Sequence, residues 1–121
     1  MMQISEAEAV VMEVLWQHAP RTAEEVVAAL ARRDWAEATI KTLLNRLLTK
    51  GAISAERDGR RYLYRPLLQR QAWVDAQSAE FLGRVFDGRV APLVAHFSQR
   101  GQLSAQDIAD LRQLIQELGD E

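Results

Sequence analysis

A chain of 121 residues, 48% hydrophobic and 26% charged, has the size of one compact domain or of a small domain with an appended element. It contains no cysteine, which excludes disulfides, thiolate metal sites and thiol catalysis, and no apolar run approaches the roughly 18 residues a membrane-spanning helix needs. The net charge of −2 is unevenly spread: residues 1–38 carry −4, residues 39–65 carry +5 and residues 66–121 carry −3. A basic segment between two acidic ones suits contact with a polyanion even in an acidic chain.

Ser5 followed by Glu8 forms a capping box and opens a first helix. Ala7, Val10, Val11, Val14 and Leu15 give it an apolar stripe, and it is expected to stop near His18, ahead of Pro20. Thr22 with Glu25 is a second capping box, opening a helix with Val26, Val27, Ala29 and Leu30 on its buried side and reaching about Arg33. After a short break at Asp34-Trp35, residues 36–50 form a third helix. Ile40, Leu43, Leu44, Leu47 and Leu48 recur at steps of three and four and mark its core face. The opposite face carries Thr39, Lys41, Thr42, Asn45, Arg46 and Thr49, the hydroxyl, amide and cationic side chains that reach phosphates and base edges. Taken alone, this helix reads equally well as an ordinary amphipathic surface helix. Gly51 is placed to end it in a left-handed conformation.

The period then changes. Residues 53–57 and 61–65 alternate like strands, Asp58-Gly59 is a hairpin-turn dipeptide, and Pro66 ends the second strand. Arg60 and Arg61 fall at the tip of this ribbon. Three helices followed by a basic hairpin make a winged helix-turn-helix, and the order of elements is more specific than any one of them. The fold class expected is mainly α with a small β-hairpin: a DNA-binding domain over residues 1–67 and a helical dimerisation region over residues 68–121.

From Leu68 a helical pattern carries Trp73, Ala76, Ala79, Phe81, Leu82, Val85 and Phe86, and Asp87-Gly88 breaks it. Pro92 suits the first turn of a short helix with Leu93, Val94 and Phe97. Residues 98–103 read as a loop. Ser104 with Asp107 caps a last helix whose Ile108, Leu111, Leu114, Ile115 and Leu118 lie on one stripe. Some fifty residues of amphipathic helix bury too little surface alone, so a two-fold homodimer is expected. Trp73, Phe81, Leu82, Phe86, Leu111, Leu114, Ile115 and Leu118 are its candidate contacts. Packing of these helices back onto the winged helix is the simpler alternative.

The chain lacks HExxH, GxSxG, Walker and Rossmann signatures. His18 and His96 stand apart from each other and from any ligand cluster, so no metal or cofactor is expected, and the protein is not expected to be an enzyme. The acidic start, MMQISEAEAV, lacks a basic n-region, and a cytoplasmic location without membrane insertion is expected.

Residues 4–16 (ISEAEAVVMEVLW), Thr39 to Leu47 (TIKTLLNRL), Lys50-Gly51 and the hairpin RRYLYRP resemble the penicillinase-repressor family, and the similarity extends to the last helix. The resemblance implies a bacterial repressor that binds palindromic double-stranded operators as a homodimer and controls β-lactamase or other antibiotic-resistance genes. It carries Thr39, Lys41, Thr42, Asn45 and Arg46 onto the reading face, and Arg60 and Arg61 onto wing contacts to phosphate. In β-lactam-responsive members a membrane sensor metalloprotease triggers cleavage at an Asn-Phe bond in the dimerisation region. The matching pair here is His96-Phe97: Phe97 agrees and His96 departs. From residues alone, Phe97 is also a plain core aromatic. Copper-responsive members carry a C-terminal cysteine cluster, which this chain lacks. A repressor of another regulon with another inducer, or a winged helix used for protein contact, are the alternatives.

Overall fold

The computed structural model describes residues 2–120. Helix α1 (Glu6–Gln17) starts at Ser5, whose Oγ accepts the Glu8 N–H at 3.1 Å while the Ser5 N–H donates to Glu8 Oε1 at 2.9 Å. Helix α2 (Ala23–Ala29) repeats the device with Thr22 and Glu25, at 3.2 and 3.0 Å. Each box satisfies two backbone donors that a bare helix start leaves unpaired.

Helix α2 ends at Ala29, four residues before the expected Arg33. Leu30 is the last side chain it buries, and Ala31, Arg32 and Arg33 offer no large apolar group to continue that face. The chain instead tightens into three-residue turns, with Ala31 N–H on the Ala28 carbonyl and Arg33 N–H on the Leu30 carbonyl. The Arg33 guanidinium then lies 5.2 Å from the centre of the Trp35 ring.

Helix α3 (Glu37–Lys50) buries Ile40, Leu43, Leu44 and Leu47, the face its periodicity marks, and Gly51 closes it with φ 79°. Strands β1 (Ile53–Asp58) and β2 (Arg61–Pro66) pair antiparallel, with Ile53 opposite Pro66 and Asp58 opposite Arg61. The turn is therefore Gly59-Arg60, one residue later than the expected Asp58-Gly59. Asp58 still pairs across the ribbon, and Gly59 alone takes a positive φ, 67°, at the first central position that a type II′ turn reserves for glycine. A backbone bridge from Arg21 to Tyr64 ties the hairpin to the segment before α2. Val11, Met12, Leu15, Val26, Ile40, Leu44, Leu47 and Ile53 make one core, with α1, α2, α3 and the hairpin all contributing.

Three further helices follow: α4 (Arg70–Phe86), α5 (Val90–Gln99) and α6 (Ala105–Gly119). The chain forms two compact units, dividing after Trp73. Residues 68–73, read from the sequence as the start of the C-terminal region, pack within the first unit. The Trp16 indole N–H donates to the Leu68 carbonyl at 2.8 Å, Arg70 pairs with Glu13 at 3.1 Å, and the Trp73 ring centre lies 5.4 Å from that of Trp16. Trp73, a candidate dimer contact by sequence, thus has a partner inside its own chain.

In the second unit, Asp87 (φ 53°) and Gly88 (φ 76°) both turn left-handed and end α4, with the Gly88 N–H on the Leu82 carbonyl. Helix α5 takes in Ser98 and Gln99, expected in the loop, so the connection to α6 shortens to residues 100–104. Ser104 and Asp107 cap α6 reciprocally at 3.0 Å. No described residue of α4, α5 or α6 is buried.

Candidate nucleic-acid interface

Thr39, Lys41, Thr42, Asn45, Arg46 and Thr49 are all exposed, on the side of α3 away from its buried leucines. Their bonding separates them. The Thr42 hydroxyl donates to the Ala38 carbonyl at 2.9 Å, and the Thr49 hydroxyl to the Asn45 carbonyl at 3.0 Å. Each therefore offers the outside a methyl group and an acceptor, with its proton already used. Lys41 lies 3.5 Å from Glu37 one turn earlier, an exposed pair that contributes little to stability. The side chains of Asn45 and Arg46 have no partner among the described residues. Thr42, Asn45, Arg46, Thr49 and Lys50 line a shallow concavity of about 320 Å³.

Lys50 is turned inward. Its Nζ lies 2.6 Å from Glu8 Oε1 and 2.9 Å from the Gln3 carbonyl. The Glu8 side chain is only 2% exposed, against 37% for Lys50. Burial pushes the Glu8 carboxyl up, but the Lys50 hydrogen bond, the Ser5 bonds and the Lys50 charge outweigh it and hold the group below its ordinary value. One carboxylate thus caps α1 and fixes the C-terminal end of α3. Sequence reasoning assigned only the cap. The available signal was position: Glu8 sits one turn before Val11 and Met12 and two before Leu15, on the face that is buried.

In the hairpin, Arg60 occupies the turn, exposed and without a partner among the described residues. Arg61 lies 3.3 Å from Asp58. Glu25 is held below the ordinary carboxyl value chiefly by its Thr22 bonds, with the Arg61 and Arg21 charges adding to the effect. Of the two wing residues the sequence put forward, Arg60 has no partner among the described residues and Arg61 is paired with Asp58.

The second unit presents a different surface. Phe81, Val85, Val90, Phe97, Ile108, Leu114, Ile115 and Leu118 are each 38% exposed or more, reaching 71% at Leu118. Leu93, Val94, Phe97, Leu103, Leu111 and Leu114 line a groove of about 370 Å³ between α5 and α6. Leu82, Phe86 and Leu111 are half-buried within the unit. His96 and Phe97 lie in the interior of α5, the His96 ring 6.4 Å from Phe86 and 5.4 Å from Phe97. Among the described residues no group of His, Asp and Glu is arranged to hold a metal, and no helix is long and apolar enough to cross a membrane.

The model of the family described as penicillinase repressor matches residues 4–117. The chain belongs to the penicillinase repressor family. It is 35% identical to the penicillinase repressor of Bacillus licheniformis over 116 residues, covering 95% of this chain and 91% of that one. It is 31% identical to the methicillin resistance regulatory protein MecI of Mammaliicoccus sciuri, covering 93% of each. Among solved structures it resembles the monomeric form of Bacillus licheniformis BlaI in complex with the blaP half-operator. That match has 38% identity and a TM-score of 0.52, and covers 58% of this chain and 87% of that one.

Proposed function

We propose that the protein is a sequence-specific transcriptional repressor that binds palindromic operators as a homodimer, α3 of each protomer entering a major groove. One observation carries the reading: α3 exposes a polar face whose free donors, on Asn45 and Arg46, have no partner in the described chain, while its opposite face is fixed in the core. Unpartnered, pre-positioned donors are what direct base readout needs, and a relative of this fold is solved on a half-operator. Arg46 reads guanine through a two-pronged contact, and Asn45 suits adenine. Thr39, Thr42 and Lys41 add contacts to thymine methyls and phosphates, and Arg60 anchors the wing.

The second unit supports the dimer, because its helices bury no described residue and leave many large apolar side chains exposed. Covering that surface with a second copy also supplies the second reading helix. The regulated genes are of the β-lactamase or antibiotic-resistance kind, and the repressor acts in the cytoplasm. Cleavage by a membrane sensor metalloprotease at His96-Phe97 would detach α6 and dissolve the dimer. That bond lies within α5, so the helix must open before it is cut. A different regulon with another inducer is favoured by a single feature, the His96 that stands where responsive members carry asparagine.

Arg46→Ala is expected to weaken operator binding by about 10- to 100-fold, in line with the 1–3 kcal/mol of a good two-pronged contact. It is also expected to relax base preference at one position of each half-site. Titration against a full set of single-base operator variants measures both. Uniform weakening with base preference intact would remove Arg46 from readout.

A further inference from the structure

The pairing register of the hairpin sorts its charges onto two sides. Successive side chains of a strand point to opposite faces, and directly opposed residues share a face. Ile53, Ala55 and Arg57 of β1 therefore share a face with Tyr62, Tyr64 and Pro66 of β2. Glu56 and Asp58 share the other with Arg61 and Arg65, together with Ser54 and Leu63. Both carboxylates of the ribbon thus lie on the Arg61 side, where Asp58 and Arg61 are already paired. A phosphate approaching that side meets two acids and two cations.

The Arg57 side carries no acidic residue of the ribbon. Its inner end, Ile53 and Tyr64, packs on the core, which leaves Arg57 and Tyr62 as its outer pair. Tyr62 is 49% exposed. The Arg57 Nε–H donates to the Gly59 carbonyl at 3.1 Å, which holds the guanidinium at the tip and leaves its two terminal nitrogens free of any partner among the described residues. Arg60 stands beside it in the turn.

We propose that the wing grips the DNA backbone with Arg57 and Tyr62, with Arg60 at the tip, and that Arg61 serves the hairpin instead of the nucleic acid. The inference rests on the DNA-binding reading above. Arg57 donates to phosphate oxygens, and Tyr62 lays its ring against a sugar and donates its hydroxyl to the next phosphate. Both contacts are indifferent to sequence, so they set affinity and salt response and leave base preference to α3.

The test is fluorescence anisotropy of the full chain on a labelled random-sequence duplex, titrated between about 50 and 200 mM salt. Arg57→Gln is expected to weaken binding about three- to tenfold and to flatten the salt dependence by about 0.9, the value of one phosphate contact. Arg57→Lys restores the slope. Tyr62→Ala weakens binding and keeps the slope, whereas Arg61→Gln changes binding less than about twofold by the same measure. Thermal melts of the same variants separate a contact from a folding defect: a loss that follows the melting temperature and is not restored by Arg57→Lys counts against the proposal. A silent Arg57→Gln on a wild type that binds, or a larger loss in Arg61→Gln, overturns the wing assignment alone. A wild type with no salt-sensitive binding overturns the DNA-binding reading and this inference with it.

Discussion

Leu114→Glu combined with Ile115→Glu will leave the protein monomeric and weaken binding to a full palindromic operator by roughly a hundredfold or more. The two side chains are 55% and 66% exposed, so carboxylates there meet water in the single chain and add little cost to its folding. In a dimer the same carboxylates would be stripped of water against the apolar α5–α6 surface, with Asp107 and Asp110 beside the groove. Joining two reading heads makes the second binding event intramolecular, and that linkage is worth about 10²- to 10⁴-fold in affinity. Sedimentation of the variant and its titration on full and half operators check the claim. Half-site affinity should survive, because none of the residues proposed to face DNA is touched. A variant that stays dimeric, or a monomer that still holds the full operator at wild-type affinity, would contradict the dimer surface.

Glu8→Ala is expected to destabilise the first unit by about 2–3 kcal/mol. Removing one partner of a buried pair costs about 3–5 kcal/mol, reduced here because Lys50 is 37% exposed and can turn to water. The melting temperature should fall by roughly 10–20 °C for a unit of this size. The loss exceeds that of an ordinary surface ion pair because the same carboxylate accepts the Ser5 N–H. The pH dependence has a definite sign. The folded carboxyl lies below its ordinary value of 4.5, so its contribution is complete above that value and is lost as pH falls through the folded one. The gap in melting temperature between wild type and Glu8→Gln should therefore close in acid. A gap that stays constant down to about pH 2 would mean that Glu8 acts by packing and not by charge.

Local chemistry made much of the fold readable in advance. Ser5, Thr22 and Ser104 each announce a helix start through a partner three residues on, and Gly51 ends α3 because a left-handed residue must. The core face of α3 follows from the spacing of its leucines alone. What stayed hidden is long-range or competitive. Glu8 and Lys50 are 42 positions apart, and nothing near either residue reveals the other. Trp73 continues an amphipathic pattern that suits a dimer face, yet Trp16, from the other end of the first unit, takes its ring. The end of α2 turned on where its last buried side chain, Leu30, falls, and the hairpin turn on a local competition that put Gly59 at φ 67° and left Asp58 paired with Arg61. The exposed polar face of α3 was legible as a set of residues. Its division into engaged hydroxyls and free donors required the hydrogen bonds.

The inward turn of Lys50 bears on how the protein finds its target. Attraction to bulk DNA grows with the number of cations able to displace counterions. Lys50 is spent on Glu8, Lys41 sits beside Glu37, Arg61 beside Asp58, and the chain as a whole is acidic. If the chain binds DNA as proposed, so few unpaired cations would give it only a weak hold on stray sequence. Fewer copies would then be drawn away from the operator, and less protein would be needed to fill it.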